Sequence, residues 1–233
     1  RIITPLKDRF GSQVRTHYPR TIEDEVGIME QERTVFPSDG FEVVVPDYMK
    51  EIVAEITHQA RRSPEVSQRS GVSVRVSVCN YENLVSNALK RGIRLRERQV
   101  APRISDLAAV LASTTGKLEL ETAGETDEAK VVERLVQRAV LAVFNRYLSV
   151  HEFEDLVQRF EEGLTLEVGD AMPSLEYALR ANEVAGLRAA VSRLNAQGNP
   201  ATIASAVEFI LEGLHLHRRL NKDRADGRTR YRR

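Results

Sequence analysis

The sequence predicts a mainly α-helical protein. Apolar residues recur at intervals of three and four over most of the chain beyond residue 45, which places them on one face of successive helices. Of the 233 residues, 42% are apolar, enough to bury a core in one large domain or two smaller ones. Alternation typical of strands is confined to two short stretches before residue 46.

Composition excludes several classes of protein. The 34 basic and 34 acidic residues give a formal net charge of zero, which argues against a dedicated nucleic-acid binder. A single cysteine excludes an internal disulfide framework and favours a reducing compartment. No apolar run approaches the roughly 18 residues of a membrane span, and no signal peptide opens the chain. We therefore expect a soluble, cytoplasmic protein without a membrane span.

The first 45 residues contain both strand candidates and one acidic helix. "SQVRTHY" alternates around Val14, and "FEVVV" is a weaker second candidate that also fits the extended approach to a helix. "TIEDEVGIMEQE" predicts a helix whose acidic start lies on a solvated face. "EFEDL", further along the chain, is interpreted in the same way.

Residues 46–117 predict three helices with short connections. Gly92 lies where the second helix is expected to stop. The inward stripe of the first comprises Met49, Ile52, Val53, Ile56 and Ala60. Those of the second and third comprise Val78, Tyr81, Val85, Ala88 and Leu89, then Ile104, Leu107, Ala108 and Leu111.

Beyond a polar stretch that is either a linker or a loop, residues 118–217 predict further amphipathic helices. Ser149 and Glu152 have the spacing of a capping box. "PSLEYALRANEVAGLRAAVSRLNAQG" predicts one or two helices that end by Gly198. The stripes of the others comprise Val132, Leu135, Val136, Ala139 and Val143; Phe153, Leu156, Val157, Phe160 and Leu164; and Ile203, Val207, Ile210, Leu211 and Leu214.

Residues 218–233 predict a basic, flexible tail. They contain eight basic and two acidic residues, with Tyr231 among them. This composition suits an arm that binds nucleic acid, a membrane surface or an acidic partner, and it equally suits a solvated tail that aids solubility. The zero net charge argues against nucleic acid as a partner of the whole chain, whereas the basic tail leaves such a partner open.

The opening phrase carries a family resemblance. Asp8-Arg9-Phe10 is followed by the strand candidate at 13–18, by Pro19 and then by the acidic helix. This order resembles the end of the nucleotide-binding core in AAA+ ATPases of the magnesium-chelatase and MoxR kind. The resemblance implies that Arg9 is an arginine finger, whose guanidinium stabilises γ-phosphate charge at a neighbouring subunit's site. The alternative is a surface arginine that pairs with Asp8 or with a helix end.

A second phrase, "QRSGVSVRVSVCNYENLVSNALKRG", resembles the lid of the same ATPases, where Gly, Ser and Arg at alternate positions open a helix. Gly71, Ser73 and Arg75 occupy those positions, which implies that Arg75 is the sensor-2 arginine that reaches the nucleotide phosphates. In the alternative interpretation Ser73 is an N-cap and Arg75 a solvated side chain. Arg69 lies close enough to be confused with Arg75.

The resemblance covers roughly residues 1–117 and implies a division of the chain. Residues 1–45 would be the C-terminal end of an AAA+ α/β core and residues 46–117 a three-helix lid. Residues 118–217 would form a helical C-terminal extension, ahead of the basic tail. The expected fold is thus mainly α, with the end of an α/β core followed by the lid and further helices.

The departures from the family are as informative. The chain has no G-x-x-x-x-G-K-[ST] phosphate loop and no apolar strand ending in Asp-Glu, and the Gly-Lys of "TTGKLELE" lacks the preceding Gly. The resemblance therefore implies that this chain begins within a longer protein. The longer protein would bind ATP and Mg²⁺ and assemble into a ring homo-oligomer such as a hexamer. That protein would remodel an unknown protein substrate, whereas this chain alone should neither bind ATP tightly nor hydrolyse it.

The rival hypothesis is a helical scaffold or interaction module without nucleotide chemistry. Other candidate sites in the sequence are weaker. His215 and His217 fall on different helix faces, which disfavours a metal pair, and Cys79 lies beside a buried stripe, where packing is its expected role.

Overall fold

The computed structural model describes residues 5, 8–12, 14, 16–34, 40–67, 69–121, 128–184, 186–196, 198–225 and 228–233. The fold is mainly helical, as the sequence predicts. Its strands are short and form a two-stranded parallel pair and a three-stranded antiparallel sheet.

The described part of the first 45 residues contains one long helix, α1 (Ile22–Glu32), and the short strand β1 (Glu42–Val43). Thr21 begins α1, and its Oγ1 accepts a hydrogen bond from the Asp24 backbone N–H at 3.1 Å. The strand predicted over 13–18 is not present in the described residues of that stretch, where Val14 is 87% exposed. No described strand pairs with this stretch, and alternation without a partner does not make a strand.

Residues 46–117 contain the three predicted helical segments. They are α2 (Asp47–Arg62), α3 (Arg75–Leu95) and a 3₁₀ helix (Ile104–Ala109) that continues into α4 (Val110–Thr114). The predicted α2 stripe is buried throughout, whereas Leu111 of the third stripe is exposed. Strand β2 (Gln99–Val100) pairs in parallel with β1.

The second half contains α5 (Glu128–Tyr147), a 3₁₀ helix (Val150–Phe153), α6 (Glu154–Glu161), α7 (Ser174–Glu183), α8 (Leu187–Arg193) and α9 (Pro200–Leu216). The capping box is confirmed, with the Glu152 carboxylate accepting the Ser149 backbone N–H at 3.4 Å. None of the helices in the described ranges is both long enough and apolar enough to cross a membrane.

The prediction of a flexible tail over 218–233 is wrong for most of its length. β4 (Asn221–Ala225) and β5 (Arg228–Arg232) form an antiparallel hairpin, and β5 also pairs with β3 (Leu166–Val168). The alternation of arginine with Thr229 and Tyr231 gives β5 one solvated and one inward face, and Tyr231 is only 2% exposed. The composition of residues 218–233 is typical of disorder, but β5 is a strand with one solvated and one inward face.

One hydrophobic core runs from Met29 on α1 to Tyr231 on β5 and includes residues of every long helix. The predicted lid and the predicted extension both contribute to it. Tyr48 of α2 stacks on Phe209 of α9 with ring centroids 4.6 Å apart, and its hydroxyl donates to Ser205 Oγ at 2.8 Å. The two halves of the chain therefore pack against each other through their interiors.

Candidate functional site

Gly71, Ser73 and Arg75, which the resemblance would assign to a lid, line one cleft of about 680 Å³. One side is formed by the turn before α3 and the first turns of that helix, and the other by the segment after α4. We call it the Arg75 cleft. Its lining residues are Ser70, Gly71, Ser73, Arg75, Val76, Cys79, Gly116, Lys117, Leu118 and Glu119.

Ser73 lies two residues before Arg75, the first residue of α3. Its Oγ accepts the Arg75 backbone N–H at 3.3 Å, and its carbonyl accepts the Val76 N–H at 3.0 Å. The N-cap position of α3 is Val74 and carries no side-chain cap, so the N-cap interpretation of Ser73 is not borne out, and the Ser73 hydroxyl closes a short turn ahead of the helix. Because Arg75 is the first residue of α3, it lies at the positive end of the helix dipole.

Position 71 requires a glycine for two reasons, its backbone conformation and the close approach of Tyr18. Its φ of +71° lies in the left-handed region, and a Cβ there would come within 2.1 Å of Tyr18 Oη. The same hydroxyl accepts the Val72 backbone N–H at 3.1 Å. The structure thus brings Tyr18, at the end of the first phrase, against the glycine that opens the second.

Two exposed cations line the Arg75 cleft. Neither Arg75 nor Lys117 makes an ion pair with any described residue. Glu119 is the acidic residue of the lining, and it accepts a hydrogen bond from Ser70 Oγ. Two cations and one carboxylate leave a surplus positive charge at a helix N-terminus, which is a suitable environment for a phosphate group.

Sequence reasoning missed Lys117. The Gly-Lys pair that contains Lys117 lacks the pattern of a phosphate loop, so the sequence does not predict a phosphate contact for this lysine. Only the packing of the segment after α4 against the start of α3 places Lys117 in the cleft with Arg75. No local signal in the sequence reports such a contact.

A buried ionic network connects the Arg75 cleft to α1. The Arg61 guanidinium donates to both oxygens of Glu25 at 2.5 and 3.1 Å, and its Nε–H donates to the Val72 carbonyl at 3.0 Å. The guanidinium also lies over the Tyr18 ring, 4.5 Å from its centroid. Ser77, on the first turn of α3, donates its hydroxyl to Glu25 at 2.5 Å.

The prediction that the acidic start of α1 is solvated is wrong for Glu25. Glu23 and Asp24 are exposed as expected, but Glu25 is 0% exposed. His58 Nε2 also lies 2.8 Å from Glu25 Oε2. A carboxylate that is fully buried needs this many donors and cations to offset its desolvation, and the sequence gives no sign that they converge.

Arg9 lies apart from the cleft. Its side chain is exposed, and it makes no hydrogen bond or ion pair with the described residues, Asp8 included. Phe10 beside it is 60% exposed. An exposed, unpaired arginine is compatible with a role at a neighbouring subunit, and it is equally compatible with a plain surface arginine.

Comparison of the chain with protein-family models, with curated proteins and with solved structures found no match. Within the described ranges, no group of three or more His, Cys, Asp or Glu side chains is arranged to hold a metal ion.

Proposed function

We propose that this chain is the C-terminal part of a magnesium-chelatase-like AAA+ ATPase that couples ATP hydrolysis in an oligomeric ring to the remodelling of a partner protein. One observation carries the proposal: Gly71, Ser73 and Arg75 line a single cleft in which Arg75 and Lys117 are both without an ion-pair partner among the described residues. Unpaired cations at a helix start favour an anionic ligand with several oxygens.

In this proposal Arg75 acts as sensor 2 and contacts the nucleotide phosphates from the lid. Lys117 adds a second positive charge from the opposite side of the cleft, and the Ser73 hydroxyl accepts the Arg75 backbone N–H at the helix start. Arg9, which is exposed, would reach the nucleotide of a neighbouring subunit and stabilise the charge that develops on its γ-phosphate.

The Glu25 network supplies a path for mechanical coupling. Arg61 connects α1 to the turn that contains Gly71 and Val72, through hydrogen bonds to Glu25 and to the Val72 carbonyl. If Arg75 moves toward a phosphate, this turn should move with it and displace Glu25 and α1. Because the Glu25 carboxylate is fully buried, the turn and α1 should move as one body.

The cleft can be tested on the 233-residue chain with inorganic tripolyphosphate. We expect weak binding, visible as amide shift changes at the start of α3, that Arg75→Ala weakens about tenfold and Lys117→Ala about threefold. Arg62→Ala, an exposed arginine at the end of α2, is the matched control and should leave binding unchanged. Equal losses for the Arg62 and Arg75 variants would show a non-specific charge effect and count against the assignment.

The finger role needs the longer protein that the proposal implies. Two full-length variants, one with Arg9→Ala and one without the phosphate-loop lysine, should each be inactive alone. A mixture should recover ATP turnover, because some interfaces then pair an intact loop with an intact Arg9. A mixture that stays inactive despite verified co-assembly would rule out the finger.

A helical interaction module remains the second candidate, and one observation favours it. Leu175 and Leu179, one turn apart on α7, are 61% and 57% exposed. Paired apolar side chains on an open helix face suit contact with another protein. If tripolyphosphate binding proves independent of Arg75, while Leu175→Ser with Leu179→Ser abolishes self-association or partner binding, the module becomes the better interpretation.

The β4–β5 hairpin gives less support to nucleic-acid binding than its composition suggests. Arg228 and Arg230 pair with Glu167 at 3.3 and 2.5 Å, and Arg232 pairs with Asp223 at 2.6 Å. These carboxylates neutralise much of the charge that phosphates would need. Nucleic acid therefore has no part in the proposed function.

A further inference from the structure

A second cavity, of about 500 Å³, lies between the 104–109 helix with α4, α5, α9 and the inner face of the β4–β5 hairpin. Its volume is that of a small-molecule pocket. Its walls are mostly apolar and include Leu107, Val110, Val132 and Val136. It shares no lining residue with the Arg75 cleft.

Two buried carboxylates from one helix line this cavity. Glu208 and Glu212 lie one turn apart on α9 and are 2% and 5% exposed. Glu208 accepts hydrogen bonds from the Tyr177 hydroxyl at 2.5 Å and from the Ser105 backbone N–H at 2.8 Å. Glu212 accepts from the Tyr231 hydroxyl at 2.5 Å and from Lys222 Nζ at 2.6 Å.

The cavity lining holds three carboxylates (Glu133, Glu208 and Glu212) and three cations (Lys130, Lys222 and Arg224), so its formal charges balance, but Glu208 makes no ion pair with the described residues. In the described part of the chain, the contact with Lys222 is the one ion pair that either buried carboxylate makes. The hydroxyl and amide donors to Glu208 are neutral, so they stabilise its charge without cancelling it. A buried negative charge without a counter-ion is costly, and a cation that enters the cavity would offset that cost.

Ser105 adds a polar atom without a partner. Its Oγ is buried and makes no hydrogen bond to the described residues, although its backbone N–H is held by Glu208. Ser105 therefore lies beside the Glu208 carboxylate and lines the same cavity. An unpaired buried hydroxyl is uncommon, and a ligand with several N–H donors would satisfy it.

We infer that this cavity binds a small organic cation with an apolar body, of which a primary alkylamine is the simplest case. The ammonium group would donate to Glu208 and Ser105 Oγ near Glu212, and the alkyl chain would lie against the valine and leucine wall. This site is independent of the proposed ATPase function, since it involves neither Arg9 nor the Arg75 cleft.

The test is calorimetric titration of the 233-residue chain at pH 7 with n-octylamine, n-octanol and n-octanoate, which share a chain length and differ in charge. We expect octylamine to bind at least about tenfold more tightly than the other two. Equal or tighter binding of octanoate or octanol would overturn the inference, and so would the absence of octylamine binding to a chain shown by circular dichroism to be folded.

Variants locate the effect. Glu208→Gln and Glu212→Gln should each lower octylamine affinity about tenfold and leave octanol unchanged, because they remove charge at constant volume. Glu133→Gln, an exposed charge in the lining of the same cavity, is the control and should change affinity by less than about twofold. A preference for octylamine that survives both buried substitutions refutes the inference. If both variants unfold, the three-ligand comparison on the unchanged chain decides.

Discussion

The Arg61 guanidinium holds both carboxylate oxygens of Glu25, at 2.5 and 3.1 Å, in the interior of the protein. The third contact of the same side chain, to the Val72 carbonyl, ties this pair to the turn that precedes α3. One arginine therefore joins α1, α2 and the wall of the Arg75 cleft. We therefore expect the pair to affect both the stability of this region and the position of the turn beside the cleft.

Replacing Arg61 by Met should lower the free energy of unfolding by about 3–5 kcal/mol, because it leaves the Glu25 carboxylate buried without its main partner. Urea denaturation at pH 7 measures this. Arg62→Met, the exposed neighbour, should change stability by less than about 0.5 kcal/mol. In a Glu25→Gln background the Arg61 substitution should cost less, and equal costs in both backgrounds would contradict a coupled pair.

Two glycine substitutions should have opposite effects. Gly71→Ala should destabilise the chain by about 1–3 kcal/mol, since φ is +71° and the new methyl group would collide with Tyr18 Oη. Gly27→Ala, within α1, meets nothing within 4 Å and should stabilise by about 0.5–1 kcal/mol. Thermal denaturation of the two variants gives the comparison, and a neutral Gly71→Ala would mean that Tyr18 does not pack on this turn.

Stability should fall steeply in alkali. Burial is the largest cause of a raised phenol pKa in Tyr48, Tyr81, Tyr147, Tyr177 and Tyr231. Unfolded phenols ionise near pH 10, so above about pH 10 the unfolded state has lost protons that the folded state keeps, and the stability present at lower pH is lost.

The measurement is phenolate absorbance followed together with circular dichroism. The buried phenols should ionise in the same transition that unfolds the chain, and Tyr177→Phe should make the decline of stability with pH shallower by about one proton. Ionisation of all six tyrosines near pH 10, with the dichroism unchanged, would disprove the burial of these rings.

The β4–β5 hairpin should contribute to stability, unlike a solvated tail. Tyr231→Ala should cost about 3–5 kcal/mol, because it empties a buried ring position and removes one of the two donors to Glu212. Arg232→Ala, on the outward face of the same strand, should cost less than about 0.5 kcal/mol. Chemical denaturation measures the stability of both variants, and equally small losses would support the interpretation of residues 218–233 as a flexible tail.

Local periodicity determined most of the helical architecture from the sequence alone. The α2 stripe from Met49 to Ala60 and the capping box of Ser149 with Glu152 both follow from neighbours within a few positions, so a sequence window contains the information.

The predictions that went wrong depended on distant neighbours. Gly92 is typical of a helix stop, but α3 continues to Leu95. The glycine is required there by a distant neighbour, since a Cβ would lie 2.6 Å from Val100 Cγ2. The composition of the tail indicates a solvated segment, but in the structure β5 pairs with β3.

The candidate sites were determined by tertiary structure. The sequence could identify Gly71, Ser73 and Arg75 by their pattern, yet only the fold placed Lys117 beside them, buried Glu25 under Arg61 and enclosed Glu208 and Glu212 in an apolar cavity. The physical reason is that periodicity reports which face of an element is buried, whereas the environment of a charge depends on which other elements pack against that face.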